Sequence, residues 1–190
     1  MNADDIRRIV ADSVALKERF FAASAPLLLE VGGRMAEGLL AGGRVLAFGN
    51  GGSAADAQHF VAELVGRFQR ERPGLSAIAL TTDPSVVTSV GNDLGFAAVF
   101  RRQVEAHGRP GDVALGISTS GRSPNVVEAL RAARELGLHT IGLTGNGGAT
   151  VATLVDDLLD VPHSETQRIQ EVHGMVLHVL AEVVEQAARG

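Results

Sequence analysis

The sequence has 190 residues, 45% hydrophobic and 21% charged, a balance that excludes disorder and sets the expectation of one globular domain over 1–190. Seventeen basic against 22 acidic residues give a net charge of −5, which argues against a surface built to grip nucleic acid. There is no cysteine, so disulfides, thiol nucleophiles and thiolate metal sites are excluded together.

The chain opens on Met1-Asn2-Ala3-Asp4-Asp5, acidic where an export signal would be basic. No apolar run approaches the roughly 20 residues of a membrane span, so the expectation is a cytoplasmic protein with no membrane partner. Ile6, Ile9, Val10, Val14, Leu16 and Phe20 recur at helical spacing, and a second helical run covers 26–40 before Ala41-Gly42-Gly43. Residues 1–42 therefore read as two N-terminal helices. Leu27, Leu28, Leu29, Val31, Met35 and Leu39 form a wide apolar face there. One small sheet leaves little room to cover it, so a helical subunit interface is expected, unless the helices fold back on the domain.

From 43 onward the pattern alternates. Short apolar runs at 44–48, 77–80, 113–117, 140–143 and 158–161 read as strands, most of them followed by small polar residues and then a helical pattern. The last segment, about 165–188, reads as one long helix. Alternation of this kind predicts an α/β fold, a three-layer αβα sandwich around a central five-stranded parallel sheet.

Parallel sheets bind ligands beyond the carboxyl ends of their strands. Three such loops are rich in small donors: Gly49-Asn50-Gly51-Gly52-Ser53, Ser118-Thr119-Ser120-Gly121-Arg122-Ser123 and Thr144-Gly145-Asn146-Gly147-Gly148. Each is expected to feed a helix N-terminus, where free N–H groups favour an anion. The second loop carries four hydroxyls just before Pro124 and lacks a Walker lysine, which suits a monophosphate ester better than a nucleotide triphosphate. Taken alone, the same hydroxyls also serve as helix caps. The first loop satisfies G-x-G-x-x-A, but no acid follows at the end of the next strand, so a dinucleotide fingerprint is incomplete.

His59 and Glu63 sit at i, i+4 on the helix after the first loop and share one face. The last helix carries Gln170, His173 and His178, of which Gln170 and His178 are about 12 Å apart along the axis. Zinc stands only about 2.0–2.2 Å from N or O ligands. If both residues bind one ion, either the side chains extend toward each other or a neighbouring subunit supplies one.

The loop at 49–53 followed by Asp56-Ala57-Gln58-His59-Phe60 and Glu63-Leu64 resembles the phosphoheptose isomerases of the sugar-isomerase (SIS) domain group. So do Asn92-Asp93 with Gly95-Phe96, the Ser118–Ser123 loop, and Arg168-Ile169-Gln170-Glu171 with His173 and His178. The resemblance implies conversion of sedoheptulose 7-phosphate to glycero-manno-heptose 7-phosphate by a homotetramer with active sites at subunit interfaces and one zinc per subunit. It implies His59, Glu63, Gln170 and His178 as metal ligands. Asn50, Gly51, Gly52, Ser53, Ser118, Thr119, Ser120, Ser123 and Gln170 would hold the substrate, with Asn92 and Asp93 near the sugar chain. Chemistry then makes Glu63 the base and His178 the acid of an enediolate reaction. One departure stands out: Gln167 occupies a position where some members carry Asp, which bears on sugar-hydroxyl contacts. Two rivals remain, a non-catalytic SIS scaffold for a replication initiator and an SIS isomerase of another sugar phosphate.

Overall fold

The computed structural model describes residues 1–188; the last two residues of the expected 43–190 core lie outside them. In chain order the elements are α1 (Ala3–Leu40), β1 (Val45–Gly49), α2 (Gly52–Val65), β2 (Ala77–Ala79), α3 (Pro84–Leu94), α4 (Arg101–His107), β3 (Val113–Ser118), α5 (Pro124–Glu135), β4 (His139–Gly145), β5 (Asp157–Val161) and α6 (Thr166–Ala187). All five strands pair in parallel, in the order β2-β1-β3-β4-β5, which is a doubly wound sheet. The three-layer sandwich predicted from the alternating pattern is therefore the observed fold.

Side-chain alternation divides the core in two. Val45 and Ala47 of β1 face Leu16, Leu28, Met35, Phe60 and Leu177, beneath α1, α2 and α6. Leu46 and Phe48 face Phe100, Val104, Val126 and Leu130, beneath α4 and α5. Both faces of the sheet are thus buried, as a parallel sheet requires. Among the described residues no helix is long and apolar enough to cross a membrane.

The expected pair of N-terminal helices is one continuous helix of 38 residues with Pro26 inside it. Proline removes one backbone donor and ordinarily breaks a helix. Here the buried stripe of Ser13, Leu16, Phe20, Leu28, Val31, Met35 and Leu39 keeps its helical register straight past Pro26, which stays exposed. Packing of that stripe outweighs the local cost. The same observation relocates the apolar face: Leu28, Val31, Met35 and Leu39 are consumed within the chain, and only Leu29 of the group is largely exposed. What α1 leaves open is a different stripe near its start, Ile6, Ile9, Val10 and Val14, between 41% and 55% exposed.

At the opposite end of the sheet from the donor-rich loops, Arg34 of α1 donates to Asp157 at the start of β5, 3.1 Å from Nε. His139 Nε2 lies 2.7 Å from the same carboxylate. This cluster ties α1 to the sheet edge and gives His139 a structural place.

Candidate active site

The sheet order reverses between β1 and β3, and the loops leaving these two strands border a crevice of about 310 Å³. Its walls are Asn50, Gly51, Gly52 and Ser53 from the first loop, Ser118, Thr119 and Ser123 from the second, and Thr166 with Gln170 from α6. Three helices, α2, α5 and α6, begin here, and none has a side-chain cap. Away from the crevice, α1 is capped by Asn2 and α3 by Asp83, while the short α4 has no side-chain cap. The crevice therefore gathers the positive ends of three helix dipoles, a setting that favours an anion.

Hydrogen bonds hold its rim in shape. Asn50 and Asn125 exchange amide bonds of 2.9 and 2.8 Å, locking the β1–α2 loop to the start of α5. Asn125 is 2% exposed and was not legible as a site residue, because its partner lies on another element. The hydroxyls of Ser118 and Ser123 lie 3.0 Å apart. Gly52 lets Gln170 approach: a Cβ at residue 52 would stand 2.5 Å from the Gln170 amide nitrogen.

Not every candidate joins this crevice. Ser120 accepts from the Arg122 N–H at 3.2 Å and lines a neighbouring cavity with Arg122, Asn146 and Ser164. Asn92 and Asp93 sit exposed near the end of α3, bonded to each other at 2.7 Å, outside the crevice wall. The third donor-rich loop corrects its expectation. It leads into a single 3-10 turn, Val151–Thr153, rather than an α-helix. Asp160 takes up its donors, accepting from Thr144 Oγ1 and Gly147 N–H, both at 2.9 Å.

A second cluster lies down α2. His59 Nε2 and Glu63 Oε1 are 3.0 Å apart. The ring of His178 stands edge-on to His59 with centroids 5.0 Å apart, and the Phe68 ring packs against it at 5.6 Å. One turn earlier on α2, Asp56 buries Oδ2 without a partner. Burial pushes this carboxyl above its ordinary range, against the lowering pull of His59. Glu63 lies eleven residues beyond Gly52, about 16 Å along the helix, so within one chain the candidate residues fall into two groups. Gln170 belongs with the crevice, while His59, Glu63 and His178 belong together. Among the described residues no three His, Cys, Asp or Glu side chains converge on a single ion position.

Gln167 faces neither group. Its amide donates to Glu165 at 3.0 Å, and it lines a separate cavity of about 380 Å³ between α1 and the start of α6 with Asp12, Arg19, His163 and Arg168. That cavity is larger than the crevice but has none of the hydroxyl loops.

Comparison with known proteins agrees with this geometry. A SIS domain profile matches residues 10–145. A phosphoheptose isomerase of Roseiflexus sp. (strain RS-1) is 52% identical over 188 residues, covering 97% of this chain and 95% of the relative. The structure of a phosphoheptose isomerase from Neisseria gonorrhoeae superposes with a TM-score of 0.91 at 44% identity, over 96% of this chain and 98% of that one. One from Francisella tularensis does so at 0.94 and 38%, over 98% and 100%. The crevice at the strand-order reversal, the His59–Glu63 pair beneath it and full-length likeness at this level agree: the chain belongs to the phosphoheptose isomerases of the SIS-domain family.

Proposed function

We propose that this chain isomerises D-sedoheptulose 7-phosphate to D-glycero-D-manno-heptose 7-phosphate in the cytoplasm, as a homotetramer with one zinc per subunit. The observation that carries the reading is the crevice, where three uncapped helix starts and the hydroxyls of Ser53, Ser118, Thr119 and Ser123 suit a phosphate monoester. Ser120, Asn92 and Asp93 are assigned to the sugar chain or to the rim of the site.

The reaction moves a carbonyl from C2 to C1. Glu63 removes a proton from C1, leaving an enediolate, and returns a proton to C2. His178 gives a proton to O2 and takes one from O1, so that no net proton is gained or lost. His59 holds the Glu63 carboxylate by the 3.0 Å contact, which sets the direction of its free oxygen.

The donor set of His59, Glu63, Gln170 and His178, two imidazoles with a carboxylate and an amide oxygen, has the nitrogen and oxygen chemistry that suits zinc. Bound there, zinc supplies Lewis-acid polarisation of the substrate oxygens. The separation of Gln170 from the other three supports a site completed between copies of the chain. The open apolar stripe at the start of α1, together with exposed Leu29 and Met175, supports the same assembly.

The test is incubation of purified, metal-analysed protein with sedoheptulose 7-phosphate, read by proton NMR for the new aldose signals. Product formation with about one zinc per chain, lost on chelation and restored by zinc, is the expected result. Absence of product from zinc-loaded protein refutes the reading; product that survives complete zinc removal refutes the zinc assignment alone. Light scattering checks the tetramer.

Gly52→Ala offers a finer probe. The new methyl must push the flexible Gln170 amide out of the crevice rather than displace backbone. The expected outcome is a KM raised about tenfold, the worth of one lost hydrogen bond, with the melting temperature nearly unchanged. Unaltered KM and kcat would remove Gln170 from the substrate-binding set.

A further inference from the structure

The last turn of α2 leaves backbone carbonyls without intrahelical donors. The N–H groups of Gly66 and Leu75 take those of Ala62 and Leu64, at 2.9 and 3.0 Å. Arg72, from the irregular segment that follows, reaches two of them: Nη2 donates to the Glu63 carbonyl at 2.6 Å and Nη1 shares the Leu64 carbonyl at 2.8 Å. A cation at a helix C-terminus also complements the dipole.

This guanidinium is buried. The Arg72 side chain is 6% exposed, and its Nε lies 3.3 Å from Glu185 Oε1 near the end of α6, itself 3% exposed. Glu185 accepts in addition from the N–H groups of Phe68 and Gln69, at 3.0 and 2.9 Å. Burial raises this carboxyl, but the backbone donors and Arg72 outweigh it and hold it below the usual carboxylate range, charged. A buried ion pair is a poor source of stability compared with apolar packing, and its attested use is to select one geometry. Both ends of the geometry selected here reach the chemistry: Arg72 grips the backbone of Glu63, and the ring of Phe68 lies on His178, tilted by 36°.

We propose that segment 66–74 is a positioning strap for the isomerase reaction: Glu185 clamps it, Arg72 sets the α2 turn that carries Glu63, and Phe68 sets the ring of His178. The inference rests on the assignment of Glu63 as base and His178 as acid. Arg72, Phe68 and Glu185 act through the two residues they hold.

The experiment compares Phe68→Leu, Phe68→Tyr, Arg72→Lys and Glu185→Gln with the wild type. Turnover of sedoheptulose 7-phosphate is referred to folded protein, measured by circular dichroism. Lysine keeps the charge of Arg72 but cannot span two carbonyls and Glu185 at once. Arg72→Lys and Phe68→Leu are expected to lose about tenfold to a hundredfold in kcat, the cost of misplacing a catalytic group by about 1 Å, with KM within twofold. Phe68→Tyr keeps the ring and is expected to restore wild-type kcat. A purely structural role gives less folded protein with unchanged kcat per folded molecule, and that result overturns the strap. If Arg72→Lys and Glu185→Gln do not fold, the two Phe68 variants decide. An inactive wild type sinks the proposed function and this inference together. An active wild type that Glu63→Gln silences, with strap variants at full kcat, sinks the strap alone.

Discussion

Glu63→Gln is expected to lower kcat by about 10³-fold, a barrier increase of about 4 kcal/mol, because a neutral amide cannot take the C1 proton. The substitution preserves the shape of the side chain and an oxygen able to accept from His59, so the 3.0 Å contact can survive it. KM is expected to stay within a few-fold of wild type, since the substitution leaves untouched the hydroxyls proposed to hold the phosphate. Steady-state kinetics and exchange of the C1 proton in deuterated water both read the effect. A variant that still exchanges that proton at the wild-type rate would show another base at work. Metal content measured on both proteins separates the two roles given to Glu63: activity lost with zinc retained identifies the base, and activity lost in step with zinc identifies a ligand.

His173 is expected to make the fold acid-sensitive. It is fully buried on α6, where Nε2 donates to the Thr144 carbonyl at 2.9 Å and Nδ1 has no partner. Burial pushes the imidazole down to about 4, against the opposing pull of the Thr144 carbonyl and Asp160. An unfolded histidine titrates near 6.5, so between those values the unfolded chain binds more protons than the folded one. Stability from this group is complete above about pH 6.5 and is lost as pH falls toward about 4. The loss is about 2 kcal/mol by pH 5, a large share of the roughly 5–15 kcal/mol that holds a domain together. Urea unfolding at pH 7 and pH 5 checks it. His173→Gln, which removes the titration, should lose about 2 kcal/mol less than wild type over that interval; parallel losses would assign the acid sensitivity elsewhere. The consequence reaches the site, because the same helix carries Gln170 and His178, and the Thr144 bond fastens it to β4.

Much of the architecture was legible along the chain. Apolar runs of strand length separated by helical patterns lead to a parallel sheet, since strands buried on both faces need continuous apolar character. All five runs are strands, with ends shifted by one or two residues. The donor-rich loops after β1 and β3 were equally legible, because small residues and hydroxyls ahead of a helix are a local signature. His59 and Glu63 share a face through helical period alone, and the structure places them in contact.

Long-range pairing decided the rest. Pro26 marks a break by every local rule, yet α1 runs through it because the buried stripe continues on the far side. The third loop resembles the first two in composition, but Asp160 of the neighbouring strand takes up its donors. Gln170 and His178 share a helix and part company, one at the crevice and one beside His59. Nothing near Arg72 in the chain announces Glu185, which lies on α6 and meets it only when that helix packs against α2. Sequence by itself determined the five strands and the two donor-rich loops that open onto the crevice, because periodicity and turn chemistry act over a few residues. Tertiary structure alone decided which charged groups meet, since a carboxylate and a guanidinium distant in sequence are paired by the packing of the elements that carry them.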